Sequence, residues 1–340
     1  MIMKTRILTT EAADIDEAAE IIRRGGLVAF PTETVYGLGA DALNEKAVAS
    51  IYEAKGRPSD NPMIVHIAHA EELGKIAEYT GEDMRKLMEM LWPGPLTLIL
   101  KKKSCVPDRT TGGLDTVAVR MPENDTARRL IERSGCPIAA PSANISGRPS
   151  PTRAADVIAD MDGRIDAVIK GGDCRVGIES TVLDMTEEDP VILRPGIITA
   201  DRISEVLGRD VYYDRALSQK PGSNDFRPKS PGMKYRHYAP KADMLIVEGK
   251  GAEVRKYAEE LRQKKETEGV KTAVLIFEEN DAKRAAHDFF SALRDLDREG
   301  TELIIAGALD TKDQIGFAVM NRMIKSAGYN VIKLPSAADR

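Results

Sequence analysis

The 340-residue chain is 42% apolar and 30% charged, with a net charge of −5 and a pI near 5.6. That balance is ordinary for a globular protein and excludes a chain that coats nucleic acid through bulk positive charge, while leaving room for a local basic site. No run approaches the roughly 18 apolar residues of a membrane span, so a soluble cytoplasmic protein of one large or two smaller domains is expected. The three cysteines (Cys105, Cys136 and Cys174) form no CxxC pair, and the first residues lack the apolar core of a signal peptide.

Ile15, Ala18, Ala19 and Ile22 recur at helical spacing, closed by Gly25-Gly26. Residues 27–30 read as a short buried strand. "PTETVYGLGAD" (31–41) then crowds Thr32, Glu33, Thr34, Tyr36 and Asp41 at a strand end. Gly37 and Gly39 there serve either a turn at positive φ or a close backbone approach. Asn44 is placed to cap a helix with Val48, Ile51 and Ala54 on one face. That helix delivers Lys55-Gly56-Arg57, read either as helix-end cations with a glycine cap or as a cation pair for polyphosphate. Residues 63–67, carrying His66, and 96–100 are strands. Residues 116–121 alternate, with Val117, Val119 and Met121 on one face and Thr116, Ala118 and Arg120 on the other. Arg120 is either a solvated residue of an edge strand or an anion clamp at a site floor.

A strand at 137–140 leads into "APSANISGRPSPT" (140–152), with Ser142, Asn144, Ser146 and Ser150. This is a binding loop or a plain Ser/Pro loop before a helix capped by Thr152. Further strands are expected at 167–170, 181–185 and 191–193, and helices near 81–91, 125–134, 152–161 and 199–207. "GIESTVLDM" (177–185) brings Glu179, Ser180 and Thr181 to a strand start, and "ILRPG" (192–196) puts Arg194 at a strand end. Five such junctions of apolar strand and polar loop point to one cleft for a polyanion and a small polar molecule, with no covalent nucleophile required. The common NTPase loop, GxSxG, HExxH and metal-spaced carboxylates are absent.

The segment 214–241 has no apolar periodicity and reads as a linker that is either disordered or has a task. Beyond it strands (244–247, 272–277, 302–306, 331–334) alternate with helices (252–265, 282–298, 311–327). That alternation predicts a small parallel sheet with right-handed crossovers. Its first strand is not followed by GxGxxG, so nucleotide binding there has no motif behind it.

"FPTETVYGLGADA", "KGRPSDNPMIVHI", "APSANISGRPSPT", "GIESTVLD" and "LRPGIIT" occur in this order. With them the chain resembles the threonylcarbamoyl-AMP synthase family, in its long two-domain form, over nearly its full length. The resemblance implies a YrdC-like α/β catalytic domain over 12–208, with a twisted mixed sheet and helices. It implies a linker over 209–242, a candidate active-site lid, and a smaller Rossmann-like parallel α/β domain over 243–340. The implied reaction makes L-threonylcarbamoyladenylate and pyrophosphate from L-threonine, bicarbonate or CO2, and ATP with Mg2+. The product then feeds a separate tRNA threonylcarbamoyl transferase machinery.

The implied ATP ligands are Lys55, Arg57, Asn61, Thr116, Ser142, Asn144, Ser150, Arg194, Tyr235 and Tyr238. The implied threonine ligands are Thr34, His66, Arg120, Ala140 (through its backbone) and Ser180. No general base is assigned, and no metal site beyond the Mg2+ carried by ATP. The main alternative is an RNA-binding YrdC-like protein without synthase activity; acidity and the lack of aromatic stacking motifs weigh against it. A carbamoyl phosphate-dependent relative would carry zinc-finger CxxC pairs, which this chain lacks.

Overall fold

The computed structural model describes residues 4–218, 229–230, 237–278 and 281–335. In chain order the first elements are β1 (Arg6–Leu8), α1 (Ala12–Arg23), β2 (Val28–Phe30), β3 (Gly37–Asp41), α2 (Glu45–Lys55), β4 (Ile64–His66), α3 (Leu73–Ile76), β5 (Ala77–Glu78) and α4 (Glu82–Leu91). Then come β6 (Leu96–Lys102), α5 (Asp108–Thr111), β7 (Thr116–Arg120), α6 (Asp125–Ser134), β8 (Ile138–Ala139), α7 (Ala154–Met161), β9 (Ala167–Ile169), β10 (Thr181–Asp184), β11 (Val191–Arg194), α8 (Ala200–Leu207) and β12 (Tyr212–Tyr213). The last are β13 (Asp243–Glu248), α9 (Gly251–Thr267), β14 (Thr272–Leu275), α10 (Ala282–Arg298), β15 (Leu303–Gly307), α11 (Gln314–Ser326) and β16 (Val331–Lys333).

Short-range chemistry sets several helix ends. The Asn44 side chain accepts from the N–H groups of Lys46 and Ala47 at 3.1 and 3.2 Å and starts α2; Gly56, at φ 61°, ends it. Asn124 and Thr199 cap α6 and α8 in the same way. The cap expected of Thr152 does not form. Helix α7 starts two residues later, after Arg153, without a side-chain cap.

The chain divides into two compact units. The first holds the described residues up to 230 except Gly147–Pro149; the second holds Gly147–Pro149 and the described residues from His237 onward. In the first unit a mixed sheet runs β1-β9-β2-β3-β8-β4-β7-β6-β10-β11-β12, with β5 pairing β6. One apolar layer joins Val65, Leu98, Val117, Val119 and Leu183 of the sheet to Val48, Ile51, Leu87 and Ile203 of the helices. The other joins Val28, Phe30 and Ile138 to Ile15, Ala19, Ile22 and Leu130. In the second unit four parallel strands run β14-β15-β13-β16.

The structure decides between two pairs of readings and adds one short strand. Gly37 and Gly39 are not turn residues at positive φ; they lie in β3, antiparallel to β2. A Cβ on Gly39 would come within 2.7 Å of Phe30 and 2.8 Å of Ile138, so the residue is glycine to let rings and strands close up. Strand β7 is not an edge: it pairs β4 on one side and β6 on the other, and Arg120 is only 3% exposed. Finally Tyr212 and Tyr213, inside the expected linker, pair in parallel with Val191 and Ile192. Two residues are too few to show a strand period.

Candidate active site

Register places the central residues. Along the parallel β4–β7 pair, His66 stands opposite Arg120, and across the antiparallel β7–β6 pair Arg120 stands opposite Thr97. Three polar residues from strands that are distant in sequence thus form one row. At the other end of the same strands Ile64 is opposite Ala118, which puts Thr116 beside the Asn61–Pro62 segment, about 13 Å from Arg120 along the strand. The Ala140 N–H donates to the Ile64 carbonyl at 2.9 Å, and Ser142 bridges to Gly37, so the 140–144 loop belongs to that second end.

The Arg120 end is a buried polar cluster. The Arg120 guanidinium donates to Glu33 Oε1 at 2.5 Å, to Thr34 Oγ1 at 2.8 Å and to the Gly94 carbonyl at 3.3 Å. Burial alone would raise the Glu33 pKa, but the charge and hydrogen bond of Arg120 outweigh it and hold the carboxyl below its ordinary value. The second oxygen, Oε2, is buried without a hydrogen-bond partner in the protein. His66 is 4% exposed, and its Nδ1 is likewise unpartnered. Burial, reinforced by the positive charge of Arg120, pushes its pKa down to about 3, so the ring is neutral at physiological pH. The Thr97 hydroxyl lies 2.7 Å from that of Ser180, and Arg194 donates to the Ser180 hydroxyl and carbonyl, each at 3.0 Å. Ser150 donates to Glu179 at 2.6 Å.

The Thr116 end is organised by α2. Gly56 turns the chain so that the Lys55 ammonium, on a side chain 2% exposed, points inward and donates to the carbonyls of Ser142 at 2.5 Å and Asn144 at 2.6 Å. Within that loop Ser142 donates to Asn144 Oδ1 at 2.5 Å. Arg57 folds back on its own loop, donating to the carbonyls of Asn61 and Pro62. The Asn61 Oδ1 is buried and unpartnered.

Thr34, His66, Arg120 and Ser180 therefore come together, and so do Lys55, Arg57, Asn61, Thr116, Ser142 and Asn144. Ala140 opens the loop of the second group, while Ser150 and Arg194 stand with the Glu179–Ser180 strand start. Tyr238 belongs to the second unit, where its ring packs on Phe290 at 5.2 Å and its backbone takes a φ of 65°. Tyr235 lies outside the described residues, as does much of the lid candidate.

Residue-by-residue reading missed Glu33, Glu179 and Thr97 as site members. Glu33 and Glu179 adjoin the expected ligands Thr34 and Ser180 in the chain, and that adjacency was the usable signal. Thr97 sits in the apolar run "LTLIL", and nothing local marks it.

Known proteins resemble this chain in sequence and in fold. Residues 20–196 match the family described as "Telomere recombination", and 198–328 match "Threonylcarbamoyl-AMP synthase, C-terminal domain". A threonylcarbamoyl-AMP synthase of Pyrococcus abyssi is 50% identical over 93% of this chain and 95% of that protein. One of Bacillus subtilis is 45% identical over 96% of each. The solved structure of P. abyssi Sua5 complexed with L-threonine superposes with a TM-score of 0.91, at 48% identity, over 97% of this chain and 100% of that one. The chain belongs to the threonylcarbamoyl-AMP synthase family.

Proposed function

We propose that this member of the threonylcarbamoyl-AMP synthase family is itself an L-threonylcarbamoyladenylate synthase, a nucleotidyltransferase that joins L-threonine, bicarbonate or CO2, and ATP. The observation that carries the reading is the buried Glu33–Arg120 pair with one carboxylate oxygen uncommitted. An ion pair of this kind matches a zwitterion. Arg120 uses three of its five N–H groups within the protein, leaving two to face the threonine carboxylate. Glu33 Oε2 faces the ammonium. Thr34, Ser180 and neutral His66 complete the amino-acid end, with the Ala140 backbone. A relative solved with L-threonine supports the same substrate here.

The nucleotide takes the other end. Lys55 and Arg57 neutralise phosphate charge, and Asn61, Thr116, Ser142 and Asn144 hold the adenylate portion. Ser150 and Arg194, beside Ser180, meet the α-phosphate where the two substrates join. Tyr235 and Tyr238 are candidates to close over the nucleotide. Magnesium enters with ATP, as part of the MgATP substrate.

The steps balance without a covalent enzyme intermediate. The threonine ammonium gives up one proton to bicarbonate or solvent, and the amine bonds to the carbon of CO2 with release of a second proton, giving N-carboxythreonine as its carbamate anion. A carbamate oxygen attacks the α-phosphorus, the bond to the β-phosphate oxygen breaks, and pyrophosphate leaves with its electron pair. The protein positions the reactants, neutralises charge and keeps water from the labile carbamate. The adenylate then serves a separate tRNA-modifying transferase, in the cytoplasm.

An assay of pyrophosphate and adenylate formation, omitting ATP, Mg2+, threonine and bicarbonate in turn, tests this. Both products should require every component. ATP turnover that is indifferent to threonine would refute the proposal.

A further inference from the structure

The second unit contains a cavity of about 460 Å3 that the synthase reaction does not use. Its walls come from the segments that follow β13, β14 and β15. All three strands are parallel, so these segments leave one carboxyl edge of the sheet. The strand order fixes what lies there. With right-handed crossovers, the route from β13 to β14 carries α9 over one face; the routes from β14 to β15 and from β15 to β16 carry α10 and α11, packed on each other, over the opposite face. The neighbours β13 and β15 therefore send their chains to opposite sides. Their carboxyl ends part at that point and leave a crevice, which is where open α/β sheets hold ligands.

The lining has a definite chemistry. Val254, Ile276 and Leu309 supply apolar wall, and Gly307 keeps the floor open: a Cβ there would lie 3.0 Å from Ile276 and 3.3 Å from Val254. Helix α9, 17 residues long, begins at the cavity with the loop Gly249-Lys250-Gly251, and no side chain caps its first N–H groups. Lys250 and Arg255 line the same space. Lys250 has no ion-pair partner among the described residues, whereas Arg255 holds the exposed Glu278 at 3.1 Å. Two acids also line it: Glu248 is engaged by Lys333 at 3.2 Å, and Asp310 accepts from the Lys312 N–H at 2.9 Å. The third acid nearby, Glu253 in the first turn of α9, is not part of the lining.

We propose that this crevice is a second ligand site, for a small molecule bearing a phosphate group on an organic body. The phosphate meets the Lys250 ammonium, the Arg255 fork and the N–H groups that open α9; the body lies against Val254, Ile276 and Leu309. The volume is within the range of small-molecule sites.

Amide exchange of the full-length protein, followed by mass spectrometry over 249–258, tests this with inorganic phosphate, ribose 5-phosphate and AMP as probes. At twice its dissociation constant a probe should slow exchange of the first turn of α9 about threefold, by linkage. The double variant Lys250→Glu, Arg255→Glu should lose that protection and keep threonine-dependent pyrophosphate release, since both residues are exposed and outside the synthase site. The local readout separates this crevice from AMP held in the first unit. No protection by any of the three probes, or protection that persists in the variant, overturns the proposal. A failed synthase reading leaves the exchange test intact.

Discussion

Arg120 and Glu33, 87 residues apart in sequence, form a salt bridge of 2.5 Å with each side chain 4% exposed. Buried charges at this depth depend on each other, because neither can recover its hydration. Glu33→Gln should therefore destabilise the first unit by about 3–5 kcal/mol, since it leaves an uncompensated guanidinium. The double variant Glu33→Leu, Arg120→Met should be more stable than the single one and inactive. Denaturant unfolding of the three proteins decides; a double variant no more stable than Glu33→Gln would show that the pair is not the unit that matters.

Arg120→Ala, assayed wherever it remains folded, should raise the threonine KM at least tenfold more than the ATP KM, the equivalent of about 1.4 kcal/mol of selective loss. The reason is positional: Arg120 sits at the His66 end of β7 and Thr116 at the other. Equal effects on both substrates would contradict the assignment of the two ends.

His66 gives a pH dependence whose sign is fixed by burial. Its folded-state pKa is about 3, against 6.5 when exposed, so between those values the unfolded chain binds the extra proton. Stability should fall as pH drops from 6.5 toward 3, by about 1.4 kcal/mol per pH unit from this group. Glu33, held below its ordinary 4.5, adds a loss that begins only below that pH. His66→Gln should thus flatten the stability profile between pH 6.5 and 4.5 and leave the steeper acid limb. Urea midpoints across that range check it; an unchanged slope in the variant means that another group titrates there.

Lys55→Met removes the donor to two loop carbonyls and keeps the apolar stem in α2. The 140–144 loop should loosen, at a cost of about 1–3 kcal/mol for each carbonyl left unmet. The ATP KM should rise while that for threonine changes little. Hydrogen exchange of that loop separates positioning from charge: faster exchange in the variant is expected, and unchanged exchange would leave phosphate contact as the whole role.

Gly39→Ala tests the close approach in β3. The added methyl would press on Phe30 and Ile138, and about 1–3 kcal/mol of destabilisation is expected from overpacking. Phe30→Leu in the same chain should restore part of it. A neutral Gly39→Ala would mean that the strands separate freely at this point.

The sequence by itself determined the local pieces and the chemistry they carry. Asn44 and Gly56 mark both ends of α2, Val117 and Val119 name one apolar face of β7, and the strict strand–helix alternation after residue 243 specifies a parallel sheet. These signals are legible because each arises within a few residues, from hydrogen bonding to the adjacent backbone or from a repeat of two or 3.6. Its polar motifs at strand ends also named most of the residues that the structure gathers into the candidate site. Only the tertiary structure decided that Arg120 is committed to Glu33, that Lys55 is spent partly on its neighbouring loop, that Thr97 reaches Ser180, and that β13 and β15 part over a crevice. Those relations depend on which strands become neighbours and in what register. Pairing between segments tens of residues apart is chosen by burial of the whole sheet, and no local period records it.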